Sequence, residues 1–538
     1  MKQLLCIFFI LTAIFCNSLH AQVAPQIEWQ KCLGGYSTDV ANSIQQTNDG
    51  GFVVAGYSLS TDGDVNGNNG DFDFWVVKLN ESDHLEWQKC LGGSGNDAAN
   101  SIQETSDEGF IIVGSSFSND GDVSGWHSGY DNYGILTTDI WITKLDIDGN
   151  LDWQKSLGGS GNDVAYSVQQ TTDGGFIVAG NSFSDDGDVS GNHGGYYYGD
   201  YWIVKLDANG NLLWQKSLGG SGDDVAYSIQ QTDDESFIVA GYSTSNDGDV
   251  SGNQGGWDYW IVKLDGVGNI LWEKYFGGSG YDTPFVIQEV ADDDYIVAGV
   301  SNSTDGNLTE NHGQADYWIM KLDSLGNLLW EKSLGGSGDD LAYSVQQTTD
   351  GGFVVAGNSS SYDGNISGWH PGYDSCGHPA TDFWIIKLDS LGNLVWEKCL
   401  SGSSFDGATS IQQAIDGGFI IAGYTESDDD DVLGNHGDND YWIVKIRSDM
   451  SGVTSVQHNF ISLSPNPVQN LLTINLLSPS VATIAVYDVE GRITVLPTSI
   501  TNNTAQLTTT TLPNGIYLLQ IINEETGESE VGKFVKGK

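Results

Sequence analysis

A tryptophan in a W-[QE]-K triplet recurs seven times, at Trp29, Trp87, Trp153, Trp214, Trp272, Trp330 and Trp396, spaced by 58, 66, 61, 58, 58 and 66 residues. A period of that length restricts the chain to a stacked or radial array of like units. Each unit holds four short runs of strand character. In one copy these are 226–232 (AYSIQQT), 237–243 (FIVAGYS), 258–265 (DYWIVKLD) and 270–276 (ILWEKYF). All are rich in β-branched and aromatic residues and are separated by Gly, Asp and Asn. No repeat sustains a 3.6-residue apolar period, so helix is not expected. The Asp173-Gly174 and Gly326-Asn327 pairs suit hairpin turns.

Four antiparallel strands per repeat make one propeller blade. The ends of the array decide the count. The mature chain opens on a lone fourth strand (27–33, IEWQKCL), and the last repeat stops after its third (440–446, DYWIVKI). Pairing the two closes a ring and removes two open edges. The expectation is an all-β, seven-bladed β-propeller over residues 22–446, with blade seven completed by the N-terminus. An open solenoid would need capping units, and none is evident. The recurring LGGSGDD and AGxS patterns resemble a bacterial β-propeller repeat family found in secreted proteins. That resemblance covers about residues 27–447 and implies fold rather than function.

Residues 1–21 read as a signal peptide: Lys2, an apolar run over 4–15, and the small Ala21 before the cut. The run is too short to span a membrane, and no transmembrane segment is expected in the mature chain. Cys6 and Cys16 leave with the signal. Cys32, Cys90 and Cys399 share a repeat position with Ser156, Ser217, Tyr275 and Ser333, which marks packing rather than a disulfide framework. Cys32 and Cys399 fall on neighbouring blades, too far apart to bond; Cys376 lies in a long loop. The formal charge is −52, from 72 acidic and 20 basic residues. That excludes nucleic acid and anionic membrane surfaces as partners. Fourteen of the basic residues are repeat lysines on third and fourth strands, where they read as a defence against edge pairing.

Long, variable loops fall on one face of the disc and tight turns on the other. The long loops carry Asp in register: Asp62, Asp120, Asp186 and Asp247, then Asp64, Asp122, Asp188 and Asp249. Closely spaced carboxylates on Gly-rich loops suit calcium, which takes several oxygen ligands. The alternative is that these Asp side chains cap turns through their own backbone. No cofactor other than calcium is suggested. A His recurs in five loops, among them His127 and His370, each preceded by Trp (Trp126, Trp369). With Trp257, these tryptophans either form platforms for sugar rings or pack the loops. No catalytic constellation is found: no G-x-S-x-G, H-E-x-x-H, C-x-x-C or phosphate loop.

After residue 446 the composition shifts. Residues 447–456 read as a linker and 457–538 as a small immunoglobulin-like β-sandwich. Four segments, LSPNPV (463–468), VYDVEGR (486–492), LPNGIYLLQI (512–521) and GKFVKGK (532–538), are similar to the type A C-terminal sorting domain of type IX secretion. The matched motif positions are Pro465, Asn466, Pro467, Gly491, Gly515, Tyr517 and Lys533. The resemblance implies a Bacteroidetes-type bacterium, the type IX machinery as a partner, and a secreted or outer-surface location. For the propeller the expectation is a non-enzymatic binding or adhesion module that takes an extracellular glycan or protein through its acidic loop face. An extracellular hydrolase or lyase using loop carboxylates, and a structural surface component, are the alternatives.

Overall fold

The computed structural model describes residues 24–447 apart from 128, 131–133, 135, 196, 371 and 373–378. Beyond these it describes 463–464, 468–475, 482–487, 493–494, 498–501, 504–513, 515–523 and 529–536. Contacts divide the chain into two units, Met1–Asp449 and Met450–Lys538.

The first unit is a seven-bladed propeller of four-stranded antiparallel sheets. Blade one runs outward through Asp39–Gln46, Phe52–Ser58, Asp73–Leu79 and Leu85–Leu91. Blade seven contains Asp406–Gln413, Phe419–Thr425 and Asp440–Ile446, and its outer strand is Ile27–Leu33 from the N-terminus. That strand pairs antiparallel with Asp440–Ile446, Trp29 opposite Lys445 and Cys32 opposite Trp442, as the orphan strands require. The only helix among the described residues is the 3-10 turn Ala291–Asp293.

The recurring triplet now has a physical account. The third-strand tryptophans, from Trp75 to Trp442, are fully buried between blades. Trp260 lies 4.5 Å from the Tyr201 ring of the blade before it, and Trp442 lies 4.4 Å from Phe383. Such pairs contribute about 1 kcal/mol beyond the area they bury. The Gln or Glu of the triplet accepts the indole N–H of that tryptophan, as in Trp75 Nε1 to Gln88 (2.9 Å) and Trp442 Nε1 to Gln30 (2.8 Å). The triplet's own tryptophan covers a turn of the next blade. A Cβ on Gly210 would lie 2.7 Å from Trp153, and Gly210 also has φ +74°. Only glycine meets both demands without strain.

Each innermost strand presents a free edge to the axis, and side chains of the neighbouring blades satisfy it. Gln45 Oε1 accepts the Glu104 N–H at 2.6 Å, while Glu104 Oε2 accepts the Asn48 N–H at 2.9 Å. The first contact recurs at all seven junctions, including Gln412 to Gln46 across the closure. Paired edge groups of this kind cannot template another strand.

The third-strand lysines are not the edge guards expected. Lys78, Lys144, Lys205, Lys263, Lys387 and Lys445 are buried, on a strand that is paired on both sides. Their amines reach the turn between the first two strands: Lys78 to Asp49 at 2.8 Å, Lys205 to Asp173 at 3.0 Å, Lys263 to Asp234 at 2.8 Å. A buried ammonium needs such a partner. Cys32 and Cys399 are buried, Cys90 is half-buried, and all three are free thiols. Cys376 lies outside the described residues.

Among its described residues the second unit holds two four-stranded sheets. One orders Leu463–Ser464, Leu471–Asn475, Thr504–Thr508 and Thr498–Thr501. The other orders Ile493–Thr494, Ala482–Tyr487, Gly515–Asn523 and Ser529–Lys536. Gly515, Tyr517 and Lys533 lie on the final hairpin, with Lys533 opposite Leu518. Tyr517 is buried and its hydroxyl donates to the Pro513 carbonyl at 2.9 Å. Pro465, Asn466, Pro467, Gly491 and residues 1–21 lie outside the described residues.

Candidate binding face

The face built from the long loops repeats one hydrogen-bonded junction seven times. Between blades three and four, the chain enters the inner strand through Gly219, Gly220 and Ser221. Asp224 Oδ2 accepts the Gly220 N–H and the Ser245 hydroxyl, both at 2.8 Å. Asp247 Oδ1 accepts the Ser221 N–H at 2.7 Å, and Asp249 Oδ2 stands 3.4 Å from the Gly219 N–H. The aspartates expected to hold calcium therefore clasp one loop to the other. Asp62, Asp120 and Asp186 accept from Tyr36, Ser94 and Ser160. Asp64, Asp122 and Asp188 face Gly34, Gly92 and Gly158 at 3.3–3.4 Å. Among the described residues no group of three or more His, Cys, Asp and Glu side chains is arranged to hold a metal ion.

A second aspartate opens each third strand and is wholly buried. Asp200 Oδ2 takes the backbone N–H of His193 and approaches its Nδ1, both at 2.8 Å. His127, His312, His370 and His436 repeat this with Asp139, Asp316, Asp382 and Asp440. The other oxygen, Oδ1, has no hydrogen-bond partner in any of the seven. It points instead toward the aspartate of the next inner strand: a Cβ on Gly219 would lie 2.4 Å from Asp224 Oδ2 and 2.8 Å from Asp200 Oδ1. Burial, helped by the neighbouring carboxylates, pushes Asp73 and Asp224 up to about 7. Burial likewise raises Asp139, Asp258, Asp382 and Asp440 to about 6. Partial burial works against a charged His193, yet its bond to Asp200 holds the imidazole above its usual range. These carboxylates repeat around the ring and are closed to solvent, which is the arrangement of a scaffold.

The tryptophans divide. Trp126 is half-buried and its indole donates to the Thr137 carbonyl at 3.0 Å, so it packs its own loop. Trp369 is half-buried against the core of blades five and six, 5.9 Å from the Tyr362 ring. Trp257 is different. It is 40% exposed, stacks on Tyr242 at 4.6 Å and 11°, and meets Tyr281 edge-on at 5.3 Å.

That stack joins a row of aromatic residues absent from the sequence-based expectations. Each inner strand carries a bulge, and in blade three it falls between Ala165 and Ser167. An extra residue there is turned out of the ladder. Around the ring the bulged residue is Asn42, Asn100, Tyr166, Tyr227, Phe285, Tyr343 and Thr409. Tyr166, Tyr227, Phe285 and Tyr343 form a continuous arc at 4.8, 5.2 and 4.8 Å between ring centres. Tyr227 also reaches Tyr242 at 6.1 Å, linking the arc to Trp257. The three small polar residues opposite bond backbone carbonyls of the next blade, Asn42 to Ala99 at 2.7 Å for example. The signal was present: this is the inner-strand column that changes character while the Ile or Val and the Gln beyond it recur in every blade and the Ser beside it in all but blade five, which has Val286.

Residues 462–536 match the family model for the secretion system C-terminal sorting domain. The chain carries a sorting domain for type IX secretion. The sorting domain marks its carrier for export, to the cell surface or beyond it, and makes the secretion machinery a partner. No helix among the described residues is long and apolar enough to cross a membrane. One curated relative, the regulatory protein FlaEY of Caulobacter vibrioides, is 28% identical over 138 residues. The match covers 25% of this chain and 14% of that protein. Among solved structures, a member of the DUF4221 family from Bacteroides vulgatus aligns over 79% of this chain and 98% of its own, at 9% identity and TM-score 0.33. An apocarotenoid oxygenase of Synechocystis, a Trp149Ala mutant, aligns over 75% and 89%, at 14% identity and TM-score 0.37.

Proposed function

We propose that the exported propeller is a binding module that holds an extracellular glycan or protein on its long-loop face. The observation that carries this reading is where the exposed aromatic side chains lie. Tyr36, Tyr197, Tyr198, Trp257, Tyr281 and Tyr362 are all exposed, and all sit on that face. Large, rigid, half-apolar side chains displayed on loops of a stiff scaffold supply contact area at low entropic cost. Under the same reading residues 1–21 direct export to the periplasm, the two C-terminal sheets form an immunoglobulin-like sandwich, and the loop aspartates serve the scaffold.

The test is binding of the labelled mature chain to immobilised glycans and to cells that export it. Trp257→Ala and Tyr281→Ala are expected to weaken capture, whereas Trp126→Ala leaves it nearly unchanged. Capture indifferent to every loop-face substitution would remove the reading. So would turnover of a bound polymer that one or two loop carboxylate substitutions abolish.

A further inference from the structure

The propeller distributes its charge in a way that narrows the ligand. Every lysine of the blades lies in a third or fourth strand. The third-strand amines point to the tight-turn face, and fourth-strand Lys89 reaches Asn150 on that side. The remaining basic residues are Lys2, Arg447, Arg492, Lys533, Lys536 and Lys538, all outside the blades. The propeller's long-loop face thus has no lysine or arginine, while 21 of the chain's 55 aspartates lie in its loops and 14 more, buried, open the strands at that end. A cationic ligand is drawn to such a face and an anionic one repelled.

Within that field one patch is distinct from the sevenfold background. Blades three to six replace Asn42, Asn100 and Thr409 with the Tyr166–Tyr343 arc, and Tyr242, Trp257 and Tyr281 carry it outward over blades four and five. Trp257 is 40% and Tyr281 57% exposed. Carboxylates flank them. Asp223 lies beside Tyr242, its carbonyl accepting the N–H of Thr244 two residues further on at 2.8 Å. The exposed Asp305 accepts the N–H of Ser279, two residues before Tyr281. Open aromatic rings bordered by carboxylates suit a planar cation, which stacks on the ring while its N–H groups reach the acids.

We propose that Trp257 and Tyr281, backed by the buried Tyr242, seat arginine side chains of an extended basic segment on a partner protein. This rests on the binding-module reading and names the ligand of the same face. A neutral sugar would stack on the same rings but would gain nothing from the surrounding charge.

Calorimetric titration of the full mature chain decides it, with hexa-arginine, hexa-lysine and cellohexaose as probes, at low and at physiological salt. Both target side chains are exposed, so Trp257→Ala/Tyr281→Ala should keep the parent melting temperature. Hexa-arginine is expected to bind saturably and more weakly at higher salt. It should bind about tenfold better than hexa-lysine, and the double variant should lose about tenfold, the size of one or two cation–π contacts. Equal binding of the two peptides, unchanged in the variant, would reduce the effect to diffuse attraction and overturn the proposal. No binding of hexa-arginine would overturn it as well. Cellohexaose binding lost in the variant would overturn the cationic ligand yet leave the binding-module reading standing. Loss of melting temperature in the double variant would move the comparison to Tyr281→Phe and Trp257→Phe, which keep the stacking rings. Those variants should bind hexa-arginine almost as the parent does, and abolished binding in them would overturn the proposal.

Discussion

Asp200 and Asp224 show what a single residue contributes in this ring. Both are fully buried, and the Asp200 Oδ1 that faces Asp224 has no hydrogen-bond donor. Burial raises Asp224 to about 7, and Asp163 and Asp73 likewise; Asp340 and Asp440 rise to about 6. A carboxyl whose folded pKa is raised binds its proton more tightly in the folded state. Its contribution is complete below the ordinary pKa of 3.8 and disappears as pH climbs through 6 to 7. The melting temperature should therefore fall between pH 5 and pH 8, read from thermal melts across that range. Asp224→Asn removes one charge and keeps the acceptor for Gly220 and Ser245. It should raise the melting temperature at pH 8 by about 2 °C, for roughly 1 kcal/mol, and make the pH dependence shallower. The buried pairs could not be seen in the sequence, where Asp200 and Asp224 are two among 72 acids. Their chemistry comes from a desolvation that only the junction between blades creates.

At the scale of the strand and loop, the second-strand glycine and the inner-strand bulge form one device. A Cβ on Gly241 would lie 1.9 Å from the Val225 carbonyl and 2.7 Å from the Tyr201 hydroxyl. Because the nearest atom is backbone, the ladder itself must move. Gly241→Ala should cost about 3 kcal/mol, seen as a lower denaturation midpoint. The AGxS pattern was legible as a repeat, but its reason was not, since the carbonyl comes from a residue outside it. The loop clasps carry another prediction. Each of Asp62, Asp120, Asp186 and Asp247 already gives an oxygen to a backbone N–H. Adding calcium to chelator-treated protein should leave its melting temperature within about 1 °C. A saturable rise would instead make these loops metal-organised.

For the whole molecule, closure depends on one short strand. Ile27–Leu33 covers the edge of Asp440–Ile446, and Arg447 N–H bonds the Gln26 carbonyl beside it. Removing residues 22–33 should expose that edge and leave a chain that aggregates on concentration, measured by light scattering. Removing residues 462–536 should instead leave a folded propeller that stays with the cells, measured by fractionation. The amino-acid sequence alone determined the number of blades, the strand that closes the ring and the export tail. Those are local facts: periodicity, an unpaired strand at each end, and a contiguous motif. It also placed the loop aspartates and tryptophans on one face. Only the tertiary structure decided which of them bind the scaffold and which remain open, because that depends on partners 20 to 30 residues away, as with Asp247 and Ser221. It alone showed the arc, since Tyr166, Tyr227, Phe285 and Tyr343 are about 60 residues apart along the chain. Four bulges turn them toward one axis, and the closing of the ring brings them within 5.2 Å of one another in sequence.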